Sequence, residues 1–161
     1  MGKNSTLLPQ DMLRKWAMEM PNQVYLRQPV NRIYKEFTWS EVYEQTRKMA
    51  SAFRKIGLYP GDKIAILSKN CTEWFIADFA ATTAGLVPVP IYYTAGTKTI
   101  SYIVSHSDTK AIVIGKLDDV GPANEALSGS GNVITISLPY KTIQCDYRWD
   151  DLMAENEPLD D

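Results

Sequence analysis

Three side chains in this sequence, His106, Asp62 and Asp78, are candidates for acid–base chemistry, but none has a partner at a useful spacing. His106 is the sole histidine, and it ends a helical pattern, where a positively charged ring is favoured. Asp62 falls in a tight turn, and Asp78 lies within an apolar helical pattern. A buried unpaired carboxylate is costly, so we expect Asp78 to reach solvent or a donor. We assign structural roles to all three and name no catalytic residue.

The only glycine cluster, Gly129-Ser130-Gly131, is misplaced for a phosphate loop. Such a loop stands between a strand and the following helix, whose first amides face the anion, whereas this cluster precedes a strand. We interpret it as a turn. Cys71 and Cys145 are far apart and form no metal or redox motif, so we expect both to be reduced. We predict no metal site and no cofactor-binding residue in this chain.

Tyr92, Tyr93 and Thr94 are the best candidates for contact with a substrate. They follow an apolar strand pattern at its carboxyl end, which is where ligands bind in open α/β sheets. Aromatic residues also fill loops, so loop packing remains open as the alternative.

The elements that must position these residues alternate between strand and helix from residue 63 onward. Residues 63–67 are apolar after the first, which is typical of a parallel strand covered on both faces. Residues 87–91 contain two alternating prolines, which predicts an edge strand. The other predicted segments are helices at 72–84, 97–106, 118–127 and 149–154 and strands at 111–114 and 133–136. The alternation predicts an α/β fold, a layered sheet with mainly parallel strands and flanking helices.

Ahead of this region the sequence predicts a helix at 8–20 and a short hairpin. Its strands are expected at 24–27 and 32–38, with residues 28–31 as the connection. We accordingly divide the chain into an N-terminal helix and hairpin at 1–37 and an α/β subdomain at 38–161.

Four local expectations concern helix ends and surfaces. Thr38 and Glu41 form a capping box. Asn70 is expected to cap the helix at 72–84, which is apolar nearly all round and should be largely buried. The acidic tail at 155–161 is expected to be exposed.

Charge and composition narrow the range of partners. The 161 residues carry a formal net charge of −2, which gives no case for a nucleic-acid partner. The apolar runs are far shorter than the ~20 residues that span a bilayer, and the first residues lack the core of a signal peptide. Residues 1–6 match a loose lipidation pattern that often arises by chance. We expect a cytoplasmic protein.

Four phrases, in this order and spacing, give the chain a family resemblance. They are Thr-Trp-Ser-Glu at 38–41, Gly-Leu-Tyr-Pro-Gly-Asp at 57–62, Ser-Lys-Asn-Cys-Thr-Glu-Trp at 68–74 and Gly-Leu-Val-Pro-Val-Pro-Ile-Tyr-Tyr-Thr at 85–94. The sequence resembles the N-terminal part of adenylate-forming enzymes, and of long-chain fatty acyl-CoA synthetases in particular. The resemblance runs from about Met12 to residues 149–152, and no single phrase is diagnostic.

The resemblance implies a fragment of a larger adenylate-forming domain. Its full-length parent would join a fatty acid to coenzyme A, through an acyl-adenylate, with ATP, Mg and coenzyme A as its requirements. The family's phosphate loop and C-terminal lysine have no counterpart here, so we expect this chain to be inactive alone and transfer no catalytic residue onto it. Expected partners are the remainder of the same polypeptide and, through an exposed apolar face, a second copy; peripheral membrane association of the parent stays open.

Two alternatives remain open at this point. The parent could be another adenylating enzyme on the same scaffold, such as an aryl-acid ligase or a peptide-synthetase module. The chain could also be a stand-alone α/β binding module. The length of the natural reading frame would discriminate between the enzyme and the module.

Overall fold

A computed structural model describes residues 7–160 and contains six helices and seven strands over that range. The lipidation pattern at residues 1–6 lies outside the described residues. The helices are α1 (Pro9–Glu19), α2 (Trp39–Lys55), α3 (Thr72–Thr83), α4 (Thr97–His106), α5 (Gly121–Leu127) and α6 (Trp149–Glu155). The strands are β1 (Val24–Val30), β2 (Ile33–Thr38), β3 (Lys63–Ser68), β4 (Val87–Ile91), β5 (Thr109–Gly115), β6 (Ile134–Ser137) and β7 (Tyr147–Arg148).

Five of the strands form one parallel sheet in the order β4-β3-β5-β6-β7. Helices α2, α3 and α6 contribute to the core on one face, and α4 and α5 contribute to the core on the other. This arrangement confirms the expected α/β fold with a layered, parallel sheet. The short strand β7, which pairs with β6, was not predicted because two residues leave no periodic pattern.

The central strands supply both cores, as their uniform apolarity predicted. In β3, Ile64 and Ile66 join the core beside α2 and α3, whereas Ala65 and Leu67 join the core beside α4. Successive side chains of a strand point to opposite faces, so an apolar residue at every position means burial on both sides.

Strand β4 is an edge strand, as its prolines predicted. The Val87 amide donates to the Asp62 carbonyl at 2.8 Å, so the backbone N–H groups of the odd-numbered residues of β4 point toward β3. The backbone nitrogens of Pro88 and Pro90 therefore point away from the sheet, where the lack of an N–H group costs no hydrogen bond between strands.

The first strand of the hairpin is longer than predicted, because residues 28–30 belong to β1 and not to the connection. The turn is only Asn31 and Arg32, both with positive φ (50° and 66°). Two-residue hairpin turns of this kind match the twist of the strands. Pro29 is accommodated because this two-stranded ribbon has free edges; it pairs with Tyr34 across the ladder.

Of the two predictions about how helices begin, one is confirmed and one is wrong. The Thr38–Glu41 capping box is present, with the Thr38 amide 2.7 Å from Glu41 Oε2. Asn70 does not cap α3, since the N-cap position is Cys71 and makes no side-chain capping bond. The Thr72 amide instead donates to the side chain of Gln28, from β1.

Of two predictions about surfaces, one is confirmed and one is wrong. Helix α3 is largely buried, and Phe75, at 37%, is its one exposed residue. The tail, by contrast, is not fully exposed. Asn156 is buried, and Arg47 Nε donates to the Leu159 carbonyl at 2.7 Å, while the Leu159 amide donates to the Arg47 carbonyl. These bonds hold the tail on α2.

The N-terminal elements share a core with the α/β region. Leu13 of α1 and Phe37 of β2 pack in the same cluster as Phe53 of α2 and Ile76 of α3. The division between residues 37 and 38 stays a prediction. Among residues 7–160, no helix combines the length and apolarity needed to cross a lipid bilayer.

Candidate functional site

The carboxyl ends of the parallel strands lie together at one edge of the sheet, which we call the carboxyl edge. Residues 69–71 follow β3, residues 92–94 follow β4 and residues 116–118 follow β5. Strand β3 leads to α3 on one face, whereas β5 leads to α5 on the other. Connections that leave to opposite faces open a crevice between neighbouring strands, and ligands of α/β proteins bind there.

An open groove of about 690 Å³ occupies this edge beside β3 and β4. Its lining is mostly apolar and aromatic, and it consists of Ser68, Asn70, Trp74, Pro90, Ile91, Tyr92 and Tyr93. The structure thus brings two of the three predicted substrate-contact residues into one groove. Thr94 does not line it. We call this feature the carboxyl-edge groove.

The groove's aromatic wall is exposed. Tyr92 is 86% exposed and Tyr93 is 41% exposed, although both belong to a short segment after a proline-stiffened strand. Trp74, in the first turn of α3, packs edge-on against Phe75 with ring centroids 5.4 Å apart. Exposed aromatic surface in a concave setting is typical of ligand or partner contact, since water solvates it poorly.

An ion pair crosses the crevice between β3 and β5. Lys69 Nζ lies 2.5 Å from Asp118 Oδ1 and 5.2 Å from the centroid of the Tyr93 ring. Lys69 therefore links the segments after β3 and β5 and also contacts the aromatic wall of the groove through Tyr93. Sequence reasoning missed this pair, because Lys69 follows one predicted strand and Asp118 begins a predicted helix far along the chain, and only the pairing of β3 with β5 brings them together.

A second polar contact joins α3 to the segment after β6. Tyr140 Oη donates to Glu73 Oε2 at 2.7 Å, and Lys116 Nζ lies 5.3 Å from the Tyr140 ring centroid. Burial, then the bond to Glu73, raises the pKa of the Tyr140 hydroxyl, so it is a donor at neutral pH. The contact fixes the segment after β6 against the first turn of α3.

The thiol of Cys71 is close to this contact but is not poised for nucleophilic attack. Burial and the nearby Glu73 carboxylate raise the pKa of the thiol to about 11. Thiolate is the reactive form of cysteine, so this side chain is inert at neutral pH. Cys71 and Cys145 are both free, as expected.

The residues that the sequence assigned to structural roles lie away from the groove or serve turns. His106 is exposed at the end of α4 and stacks on Tyr102, with ring centroids 5.1 Å apart. Asp62 Oδ2 accepts from the Tyr59 amide at 2.8 Å. Asp78 is half-buried, and desolvation raises its pKa. Asp62 therefore stabilises its turn and His106 packs on its own helix, while half-buried Asp78 reaches solvent, as expected.

The loop at residues 129–131 lies at the opposite, amino edge of the sheet. It separates α5 from β6 and helps to line a polar groove beside the start of β5. The interpretation of this cluster as a turn is consistent with its place in the structure.

Comparison with known proteins identifies the family. Residues 13–157 match the family model described as AMP-binding enzyme. The chain belongs to the AMP-binding enzyme family. The match extends across the sheet and both helical layers, so it takes in every residue of the carboxyl-edge groove.

Relatives within the AMP-binding family include acyl-CoA synthetases. Long chain acyl-CoA synthetase 1 of Arabidopsis thaliana is 36% identical over 77 residues, which are 48% of this chain and 12% of that protein. Fatty acyl-CoA synthetase A of Dictyostelium discoideum is 36% identical over 80 residues, which are 50% of this chain and 12% of that protein. The chain therefore spans only a small part of the length of the curated relatives it matches.

A solved structure shows the same fold. A benzoate CoA ligase from Burkholderia xenovorans LB400 superposes with a TM-score of 0.75 at 20% identity. The superposition covers 93% of this chain and 29% of that ligase chain. This AMP-binding chain thus has the fold of one part of that ligase chain.

The nucleotide phosphates that the family name implies do not fit the start of α3 at the carboxyl edge. The Thr72 amide is already bonded to Gln28 Oε1 at 3.2 Å, and Glu73 adds negative charge to the first turn. Within residues 7–160, no three His, Cys, Asp or Glu side chains gather closely enough to hold a metal ion. We therefore derive no nucleotide or metal step from these residues.

Proposed function

We propose that this chain is the N-terminal part of an ATP-dependent fatty acid–CoA ligase. The parent reaction joins a fatty acid, ATP and coenzyme A into acyl-CoA, AMP and pyrophosphate by way of an acyl-adenylate. One observation carries the proposal: the AMP-binding family match extends over residues 13–157, and the chain shares 36% identity with two acyl-CoA synthetases over about half its length.

Within that ligase we assign the carboxyl-edge groove to substrate contact. Its aromatic lining suits the apolar part of an acid, and Tyr92 and Tyr93 form its outer wall. ATP, Mg and coenzyme A are the expected requirements of the parent. The remainder of the same polypeptide is the expected partner, since it would cover exposed rings such as Phe75. A cytoplasmic location belongs to the same proposal.

We further propose that this stretch alone does not adenylate. Adenylation requires cations or amides placed against developing polyphosphate charge. In this stretch Lys69 is paired with Asp118, the Thr72 amide is bonded to Gln28, and the sequence has no glycine-rich loop between a strand and a helix.

An acid panel tests the proposed substrate class. The longer natural polypeptide, with residues equivalent to the full relatives, is incubated with ATP, Mg, coenzyme A and one acid at a time, and AMP release is measured. We expect dodecanoate and hexadecanoate to support release well above the acid-free background. Release with benzoate but with no fatty acid would favour an aryl-acid ligase. Release with no acid at all, or a natural stop after residue 161, would favour a binding module.

A further inference from the structure

Gln28 is a long polar side chain with a buried amide group, which is hydrogen-bonded through both its oxygen and its nitrogen. Only 5% of it is exposed. Its Oε1 accepts from the Thr72 backbone N–H at 3.2 Å, and its Nε2 donates to the Pro29 carbonyl at 3.3 Å. A buried amide that bonds at both ends fixes the geometry of what it contacts.

The contact caps a helix that has no local cap. Thr72 is the first residue of α3, and the N-cap residue Cys71 makes no side-chain bond to the helix. The first amides of a helix have no intrahelical acceptor and need one from elsewhere. Gln28 supplies it from 44 positions earlier in the chain. The hairpin therefore serves as the remote cap of α3.

The first turn of α3 also forms one wall of the carboxyl-edge groove. Trp74 lines that groove, and Asn70, just before the helix, lines it as well. Asn70 and Thr72 additionally border a smaller cavity of about 220 Å³ beneath the hairpin, together with Gln28 and Phe75. The first turn of α3 thus lies between the hairpin and the carboxyl-edge groove.

We propose that Gln28 is a positioning residue for the carboxyl-edge groove. By bonding the Thr72 amide, it fixes the first turn of α3, and with it the Trp74 ring and the Asn70 side chain. The relevance of this positioning to catalysis rests on the proposed function, in which the groove contacts the acid. The positioning itself does not depend on what the groove binds.

Amide hydrogen exchange tests the positioning without any ligand. Gln28→Met keeps the length of the side chain and removes the acceptor, while Arg27→Met is the matched control on the neighbouring, exposed position. In Gln28→Met we expect the Thr72 amide to exchange roughly tenfold faster, as loss of one capping bond implies. The Val113 amide, in the centre of β5, should keep its wild-type rate. Arg27→Met should leave both rates unchanged.

A spectroscopic readout separates positioning from simple capping. The Trp74 indole N–H resonance should shift or broaden in Gln28→Met and should keep its wild-type position in Arg27→Met. An unchanged Thr72 rate, an unchanged Trp74 resonance, or an equal rise in exchange at Val113 would each overturn the proposal. The last result would mean that Gln28 supports only global stability.

Kinetics of the longer polypeptide tie the residue to the groove. There we expect Gln28→Met to raise KM for the fatty acid several-fold while kcat stays near the wild-type value, and Arg27→Met to change neither. A fall in kcat at constant KM would contradict the positioning role. Failure of the wild type to use any fatty acid would instead sink the proposed function and leave the exchange results standing.

Discussion

Two grooves of nearly equal size lie at opposite edges of the same sheet, and they are built differently. The amino-edge groove is about 650 Å³ and the carboxyl-edge groove is about 690 Å³. Beside the amino-edge groove, the ion pair joins Lys110 and Asp108, which are only two residues apart. At the carboxyl edge Lys69 reaches Asp118, and Tyr140 reaches Glu73, across 49 and 67 positions.

The difference shows that volume alone does not mark a site. Long-range polar contacts hold the ends of several elements in one arrangement. A binding surface requires such a fixed arrangement, whereas a groove that only separates loops does not. The amino-edge groove is bordered by small and polar loop residues such as Gly129 and Ser130. Substitutions at the two edges should therefore have unequal effects, and matched pairs can test that.

The largest expected contrast comes from adding one methyl group at each edge. A Cβ at Gly115, the last residue of β5, would overlap the Cβ of Leu138, whereas a Cβ at Gly131 meets nothing within 4 Å. We expect Gly115→Ala to lower the free energy of unfolding by about 3 kcal/mol, at the upper end for overpacking. Gly131→Ala should be neutral. Urea denaturation checks both, and equal effects would remove the contrast between the edges.

Alkaline titration should expose the buried thiol at the carboxyl edge. Because the folded-state pKa of Cys71 is raised to about 11, its contribution to stability is complete below pH 9 and is lost as pH rises through 11. Removing the thiol should make the fall in stability between pH 9 and 11 shallower by about 2 kcal/mol. Chemical denaturation of wild type and Cys71→Ala at several pH values measures this. Parallel curves for the two proteins would show that the thiol is solvated.

Loss of the Tyr140 hydroxyl should have a smaller effect. Tyr140→Phe removes the bond to Glu73, a hydroxyl–carboxylate contact at a half-buried site, and should cost about 1 kcal/mol. The matched control is Tyr147→Phe on the exposed strand β7, for which we expect no measurable change. Thermal unfolding monitored by circular dichroism is sufficient. A cost for Tyr147→Phe equal to that for Tyr140→Phe would contradict the assignment.

The smallest expected contrast is between two lysines. Lys69→Met breaks a largely exposed ion pair that joins two strand ends and should cost about 0.5 kcal/mol, less at high salt. Lys110→Met breaks a pair within one segment, and we expect no measurable change. Stability at low and high salt distinguishes them. A salt-independent cost for Lys69→Met would mean that its contact with the Tyr93 ring, rather than the ion pair, is what stabilises the edge.

Much of the fold could be predicted because its signals are local. A few neighbouring residues are enough to predict the local structure in three places: the apolar run of β3, the prolines of β4 and the Thr38–Glu41 capping box. The parallel sheet follows from the order of such segments. The position of Tyr92 and Tyr93 at the carboxyl edge followed from the same order.

The rest could not be predicted, because it depends on contacts between distant positions. Asn70 looked like the cap of α3, but Gln28 supplies that bond from the hairpin. The tail looked exposed, but Arg47 of α2 holds it through Leu159. Phe75 looked buried because its helix is apolar on all sides, and the sequence does not tell which side the rest of the fold covers.

ATP–pyrophosphate exchange, run side by side on the 161-residue chain and on the proposed full-length ligase, tests the central claim most directly. With a fatty acid, ATP and Mg present, we expect exchange by the longer polypeptide and only background exchange by the chain alone. Acid-dependent exchange by the chain alone would contradict the account, because these residues would then hold and activate a nucleotide without the rest of the ligase.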